Sequence, residues 1–557
     1  MSYTFLGKEI SGRFTIPSGI IATNAKILLK IAKEIPQIGV ITTKSIGLVE
    51  KAGNREPILH QYAPGCFVNA VGLTNPGAEE FAKQLSEIKS SIPKNRFLLI
   101  SIFGSNPAEF VQVAKILEPY ADGLELNLSC PHAKGYGMAI GQDPALVKEI
   151  VAAVKTAVKI PIIPKLTPNT EKLGEITKAA LEAGADAICA INTIGPGYYT
   201  FDGIPILTNK KGGMSGKGVL PIGLKCIKEI NDATEGKVPL IGCGGISSSQ
   251  DIIEYEKAGA SIFGIGSALA GMSSEEMKKY FQELAEDLQN LKNKTALGTD
   301  NSKRFLKTVD MRFKKYKLVE VHKKADDLAV LEFDKAIDIK PGQFIFVWHP
   351  ECGEKPFSAL DNAPLKLLVQ KKGCLSEKLI NLKLGDEIFV RGPHGNEIKI
   401  EKDSKVLIVG GGCGIAALYQ LAKEINNHST EVFFGARDKK HLFYIEELMK
   451  CSTVWVSTND GSFGRKGFIT ELLQKRLDEI KQKNPELINK IVILNCGPDQ
   501  MINAALLIEE NFIPKEKIYC AIDYITKCGV GICGSCASKS GKRICVDGPF
   551  INRTEVE

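Results

Sequence analysis

Residues 123–167 read "GLELNLSCPHAKGYGMAIGQDPALVKEIVAAVKTAVKIPIIPKLT". The apolar run 123–129 reads as a strand. The stretch "DPALVKEIVAAVKTAV" repeats its apolar residues at helical spacing, and "IPIIPKLT" (160–167) reads as a second strand. The same alternation fills residues 1 to about 290. Its other strands are "FTIPSGI" (14–20), "GVITTKS" (39–45), "FLLISIFG" (97–104), "AICAINT" (187–193), "PLIGCGG" (239–245) and "SIFGIGS" (261–267). Eight βα units predict an α/β architecture that begins with a TIM barrel.

Polar and glycine residues stand where these strands end: Ser18, Lys44, Ser101, Asn127, Lys165, Asn192, Gly244 and Gly266. In a barrel of this kind the C-terminal ends of the strands form the active face. Turn chemistry explains one or two such residues and explains eight convergent ones poorly. Cys130, beside a proline at a strand end, admits four readings: metal ligand, nucleophile, base or packing.

The chain has 557 residues, 44% hydrophobic and 24% charged, which suits several soluble globular domains. A net charge of +7 is small for this length, and basic runs such as "KKYK" (314–317) are short. A nucleic-acid partner is therefore not expected. No segment has the roughly 18 apolar residues of a membrane span, and "MSYTFLGKEI" lacks the pattern of a secretory signal. Four of the 15 cysteines crowd into 528–545 and the rest are scattered. That usage fits a reducing cytoplasm with one cluster kept for a metal.

Residues 291–303, "LKNKTALGTDNSK", are polar and patternless and read as a linker. Residues 304–402 hold β-type runs, "LAVLEFD", "GQFIFVWHP", "LKLLVQKK" and "DEIFVRGP", and predict a small antiparallel barrel. Residues 403–520 return to βα alternation and predict a nucleotide-binding domain. There "KVLIVGGGCGIAAL" places Gly410, Gly411, Gly412 and Gly414 in a strand-to-helix turn that a pyrophosphate can approach. The motif departs from G-x-G-x-x-G and is of moderate specificity. Cys496, in "NCGP", reads either as a nicotinamide neighbour or as a buried strand-end thiol.

Residues 521–557 form a cysteine-rich tail. Cys528, Cys533, Cys536 and Cys545 follow a C-x4-C-x2-C-x8-C pattern whose first three members match plant-type [2Fe–2S] spacing. Structural zinc is the competing reading, although zinc sites usually pair C-x2-C units. A disulfide framework is not expected here.

Residues 304–557 resemble the electron-transfer subunit of class 1B dihydroorotate dehydrogenase. The shared stretches are "PGQFIFVW", "KPFS", "GPHGN", "VGGGCGIAAL", "NDGSFGRKGF", "CGPDQM" and the four cysteines followed by "VDGPF". Two departures are Lys355, where the family commonly has arginine, and a short spacing before Cys545. Residues 1–290 resemble the catalytic subunit, through "PSGI", "TTKSI", "GNREP", "NAVGLTNPG", "ELNLSCP", "PKLTPN", "INTIGPG", "GGMSGKG", "GCGGISSSQD" and "AGASIFGIGSAL". The chain thus resembles a fusion of two subunits usually encoded apart.

The resemblance implies four redox partners: FMN, a [2Fe–2S] cluster, FAD and NAD. FMN would contact Ser18, Lys44, Ser45, Ser101, Asn127, Lys165, Ile191, Gly216, Gly244, Gly245, Gly266 and Ser267. The substrate, dihydroorotate, would meet Lys44, Asn69, Val71, Gly72, Leu73, Asn127, Asn192 and Thr193. Cys130 would be the base, with Lys44 and Lys165 beside the flavin. FAD would use Lys355, Pro356, Phe357, Ser358, Gly373 and Ser376. NAD would use the four glycines with Cys496, Gly497 and Pro498, and the four tail cysteines would ligate iron. The implied assembly is a homodimer through the barrels.

Two features leave the substrate open. His132 stands where many class 1 members carry asparagine, and it reads equally as a substrate contact or a loop residue. "NLSCPH" with "GMAIGQDP" also resembles the pyrimidine-reducing barrel of dihydropyrimidine dehydrogenase. The alternatives to pyrimidine synthesis are an NAD(P)H-dependent dihydropyrimidine dehydrogenase or another ene-reductase, and a flavin-free, zinc-stapled module. Arg437, after "FFGA", leaves NAD and NADP both open.

Overall fold

The computed structural model describes residues 3–128, 138–293, 300–522 and 525–556. Cys130 and His132 lie outside the described residues. The chain divides into two compact units: Met1–Asp310 with Val530–Ala537, and Met311–Gly529 with Ser538–Glu557.

All eight expected strands of the first unit form, in one parallel sheet. Their order around it is Phe14–Thr15, Ile262–Gly264, Leu240–Cys243, Ile188–Ala190, Ile162–Leu166, Gly123–Asn127, Phe97–Ile102 and Val40–Thr42. A parallel bridge from Phe14 to Ile38 brings the first strand back beside the last, so the barrel is nearly closed. Helices cover it outside, and their starts are written in the sequence. Asn24, Asn106, Asp143 and Ser248 cap helix N-termini with side-chain oxygens. Ser273 and Glu276 form a capping box at the head of Ser274–Lys292. Pro107 and Pro144 occupy first-turn positions, where no amide hydrogen is needed.

Two apolar layers hold the barrel. One fills the space between strands and helices, from Ile27 and Leu28 round to Phe281 and Leu284. Each fully buried Leu, Ile, Val or Phe there contributes roughly 1.5–3 kcal/mol over remaining exposed. The other fills the barrel end away from the polar residues. An N-terminal hairpin, Tyr3–Phe5 with Lys8–Ile10, plugs that end with Phe5 and Ile10. The Phe5 ring meets Phe97 edge-on, 5.0 Å between centroids.

A second sheet in this unit has no counterpart in the sequence reading. Its four antiparallel strands are Ile194–Tyr198, Lys211–Gly216, Cys66–Asn69 and Leu59–Ala63. Both ends of the stretch read as a linker carry helical structure. Leu291 and Lys292 complete the helix Ser274–Lys292, and Asn301–Phe305 makes a helical turn whose Ser302 amide donates to Asp287 at 2.9 Å.

The second unit holds two seven-stranded sheets. The antiparallel one runs Gly353–Phe357, Phe344–His349, Glu387–His394, Lys314–Ala325, Leu328–Phe333, Leu365–Gln370 and Ala359–Asn362, around Leu318, Leu331, Val347 and Leu367. The other runs Arg465–Lys466, Thr453–Thr458, Glu431–Ala436, Lys405–Gly411, Ile491–Cys496, Ile518–Ala521 and Ile551–Asn552, parallel except for the last strand. Its strand order reverses between Lys405–Gly411 and Ile491–Cys496. In open α/β sheets that switch point is where ligands bind.

Candidate active site and cofactor sites

A cavity of about 630 Å³ opens at the C-terminal ends of the barrel strands. Ser18, Lys44, Ser45, Asn127, Lys165, Ile191, Gly216, Gly244, Gly245, Gly266 and Ser267 all line it. So do Asn69, Val71, Gly72, Leu73, Asn192 and Thr193. Of the residues expected around flavin and substrate, Ser101 alone stands behind the wall, where its hydroxyl meets Ser45 Oγ at 2.9 Å. Cys130 follows the strand that carries Asn127 into the cavity, and is itself outside the described residues.

Hydrogen bonds tie these side chains together. Asn192 Nδ2 donates to Asn127 Oδ1 at 3.3 Å, and Asn127 Nδ2 donates to Ser45 Oγ at 2.8 Å. The chain Asn192–Asn127–Ser45–Ser101 therefore orients both asparagines from behind. Lys165 donates to Ser18 Oγ at 2.9 Å and lies 3.8 Å from Glu125. Burial alone would push the Lys165 ammonium down. The Glu125 carboxylate, with Cys189 and Cys243 nearby, outweighs burial and brings it up to about 12. Lys165 is thus a permanent cation in the cavity wall.

Several supporting residues were not legible in the sequence. The Tyr255 hydroxyl donates to the carbonyls of Cys243 and Gly244, at 3.0 and 2.7 Å, and fixes the turn after the seventh barrel strand. Gly245 in that turn has φ +78, and a Cβ there would lie 2.9 Å from Leu220 N. Asn169 accepts from Gly195 N and donates to Thr193 O, holding the Thr193 loop. Asn54 similarly holds the loop at 70–72, through Ala70 O and Val71 O. The segment Val530–Ala537 also packs in this unit: Ile21 N donates to Ile532 O at 2.8 Å and Thr23 Oγ1 to Gly534 O at 2.8 Å. Ile532 and Cys533 reach the cavity wall.

In the second unit a cavity of about 890 Å³ lies at the switch point of the parallel sheet. Gly411, Gly412 and Gly414 line it, with Cys496, Gly497 and Pro498 packed beside them. Pro356, Phe357 and Ser358 line it from the antiparallel sheet. Gly410 does not; it is inside the strand, where a Cβ would lie 2.4 Å from Ile415 Cδ1. Lys355, Gly373 and Ser376 are also outside the lining. Lys355 is exposed, and the Ser376 hydroxyl already accepts from the amides of Lys372 and Gly373. Arg437 reaches the cavity, but its guanidinium is engaged with both Asp327 oxygens, at 2.9 and 2.8 Å. His441, with Gln370 and Arg437, holds the Asp327 carboxyl well below its usual range.

The four tail cysteines are all buried. Gly529, Gly531 and Gly534 between them adopt positive φ, +78°, +76° and +70°. That backbone conformation is open to glycine and strained for other residues. Arg391 Nη1 donates to Cys528 O at 3.1 Å, and Arg391 is itself clamped by buried Glu354 at 2.7 and 2.9 Å.

The observed groups fit the expected cofactors: buried cations and a tight turn for a flavin phosphate and ring, and a switch-point crevice for dinucleotides. A barrel with this mouth, joined in one chain to a reductase-type sheet pair and a cysteine loop, defines a multidomain oxidoreductase. Comparison with known families gives three matches. Residues 1–288 match the dihydroorotate dehydrogenase family, 408–506 the oxidoreductase NAD-binding domain, and 524–557 the iron–sulfur cluster binding domain of dihydroorotate dehydrogenase B. The chain belongs to the dihydroorotate dehydrogenase family. It is 41% identical over 285 residues to a protein of Methanocaldococcus jannaschii named dihydroorotate dehydrogenase B (NAD(+)), catalytic subunit; this covers 51% of the chain and 92% of that protein. The Pyrococcus abyssi protein of the same name is 40% identical over 291 residues, 52% of the chain and 92% of its own. No helix among the described residues is long and apolar enough to cross a membrane.

Proposed function

We propose that the chain oxidises dihydroorotate to orotate at the barrel mouth and delivers the electrons to NAD in its second unit, as a step of pyrimidine synthesis. The observation that carries this is the gathering of Lys44, Lys165, Asn69, Asn127 and Asn192 around one cavity. Asparagine offers a donor and an acceptor side by side, which suits the imide edge of a pyrimidine. Lys165, held charged by Glu125, stabilises negative charge on a bound ring system. Lys44 faces ring and substrate. Cys130 takes the substrate proton. An ordinary thiol titrates near 8.5, so ionisation on substrate binding would assist it.

When bound, FMN would accept the hydride, a [2Fe–2S] cluster on Cys528, Cys533, Cys536 and Cys545 would pass electrons singly, and FAD would regather the pair for NAD. Pro356, Phe357 and Ser358 would hold FAD, with Lys355, Gly373 and Ser376 outside the cavity as secondary contacts. Gly411, Gly412, Gly414 and the 496–498 turn would hold NAD, with Gly410 shaping the strand beneath. The commitment of Arg437 to Asp327 leaves that guanidinium poorly placed to receive a 2′-phosphate, which supports NAD over NADP. The proposed setting is a cytoplasmic homodimer.

The test is anaerobic stopped-flow spectroscopy of the purified chain. Dihydroorotate should bleach the flavin absorbance within the mixing sequence, and NADH should bleach it from the other end. Turnover of NADH with uracil, without bleaching by dihydroorotate, would transfer the chain to the dihydropyrimidine dehydrogenase reading. A colourless protein containing zinc would remove both.

A further inference from the structure

Cys352 and Cys374 are joined in a disulfide, with their Cα atoms 5.6 Å apart and a sequence separation of 22. This pair is absent from the sequence expectation, which keeps cysteines reduced outside the iron loop. Cys352 lies in the turn between Phe344–His349 and Gly353–Phe357, where its amide donates to His349 O at 3.0 Å. Cys374 opens the short helix Cys374–Ile380 and is exposed. The cavity of the second unit is bounded by the chain that follows Cys352, at Pro356, Phe357 and Ser358, and by the chain that precedes Cys374, at Gln370 and Lys372. The covalent link therefore ties together the two segments that flank the expected flavin position. The one ion pair across the same gap among the described residues, Lys378 to Glu351 at 3.0 Å, is exposed and weak.

We propose that Cys352 and Cys374 form a reversible thiol–disulfide modification site that staples the FAD cavity, and that low-molecular-weight thiols open it. The inference rests on the FAD reading above. Opening begins when a small thiolate attacks the exposed Cys374 sulfur. The S–S bond breaks, Cys352 leaves as thiolate and takes a proton. A second small thiolate then attacks the mixed disulfide, releasing a small disulfide and the Cys374 thiolate, which is protonated. Two electrons pass from two small thiols to the protein. Closing is the reverse, with a small disulfide as oxidant. The closed staple pre-organises both flanks of the cavity, so its reduction raises the rate of FAD loss.

The test uses the full holoprotein equilibrated in a reduced or an oxidised small-thiol buffer. Alkylation under denaturing conditions and peptide mass analysis report the two cysteines, fluorescence of the filtrate reports released FAD, and iron content controls for the cluster. The expected result is alkylation of Cys352 and Cys374 in the reduced sample only. FAD release there should be faster, on the order of tenfold. The double variant C352S/C374S should release FAD at the reduced rate in both buffers. Alkylation of both cysteines after oxidation, or one FAD release rate in wild type under both buffers, overturns the proposal. If the purified chain holds no FAD, the flavin reading falls and the release step with it, while the alkylation pattern still decides the disulfide.

Discussion

Lys165 Nζ stands 3.8 Å from Glu125 Oε1 inside the barrel, and both side chains are almost wholly shut off from water. Isolated burial would expel a proton from Lys165, yet the net effect of its surroundings holds it up to about 12. The folded value lies above the ordinary 10.5. The stability it contributes is therefore fully present below about 10.5 and is lost as pH rises through about 12. Glu125→Gln keeps the shape and removes the charge. Stranding a buried cation in this way should cost about 3–5 kcal/mol in urea unfolding at neutral pH. The variant's flavin reduction should also acquire a pH dependence below 10.5 that wild type lacks. Unchanged stability with an unchanged pH profile would remove Glu125 from the site.

Cys130→Ala separates the two ends of the electron path. Removal of a general base typically costs on the order of 10²–10⁴-fold. Dihydroorotate-driven bleaching should slow by that amount, and NADH-driven bleaching should keep its rate. Equal loss at both ends would show a structural thiol rather than a base.

Legibility in the sequence followed burial. The eight barrel strands are buried on both faces, so stretches such as "FLLISI" (97–102) are continuous apolar runs and announce themselves. The sheet built from "LHQYA" and "KGGMSG" has neither run nor alternation, and was missed. The wall of the barrel cavity was legible because each strand end carries its polar residue locally. Tyr255, Asn169 and Asn54 were not, because they act on loops through backbone groups that only the fold brings near. The Cys352–Cys374 pair was likewise hidden, since connectivity among 15 cysteines is not fixed by spacing. Buried Arg391 and Glu354 sit in strands whose neighbours gave no sign of a charge pair.

Gly414→Ala tests the nucleotide site. An added Cβ would lie 2.3 Å from Cys496 O and 2.5 Å from its carbonyl carbon, and 2.6 Å from Gly497 Cα. All three are backbone atoms, so the turn itself must move, along with the crevice where the pyrophosphate is expected. KM for NADH should rise at least about tenfold, which corresponds to roughly 1.4 kcal/mol of lost binding. Dihydroorotate-driven bleaching should be untouched. An unaltered KM would place the dinucleotide elsewhere.

Glu354→Gln tests whether the iron loop depends on a charge pair in the antiparallel sheet. Arg391 and Glu354 are both fully buried, and two hydrogen bonds of 2.9 and 2.7 Å join them. The guanidinium also lies 4.0 Å from the Phe346 ring centre and donates to Cys528 O. The neutral amide leaves a buried cation without its counter-charge, at a cost of about 3–5 kcal/mol. The carbonyl of Cys528 loses a fixed donor at the same time. Iron per chain should therefore fall and the cluster's visible absorbance with it, before flavin content changes. Paired replacement by E354M/R391M fills the same volume without charge and should recover much of the stability. It should not recover the iron, because the arginine's hydrogen bond to Cys528 O is gone. Full iron content in the paired variant would show that burial of the loop alone, without the arginine, is enough to hold the cluster.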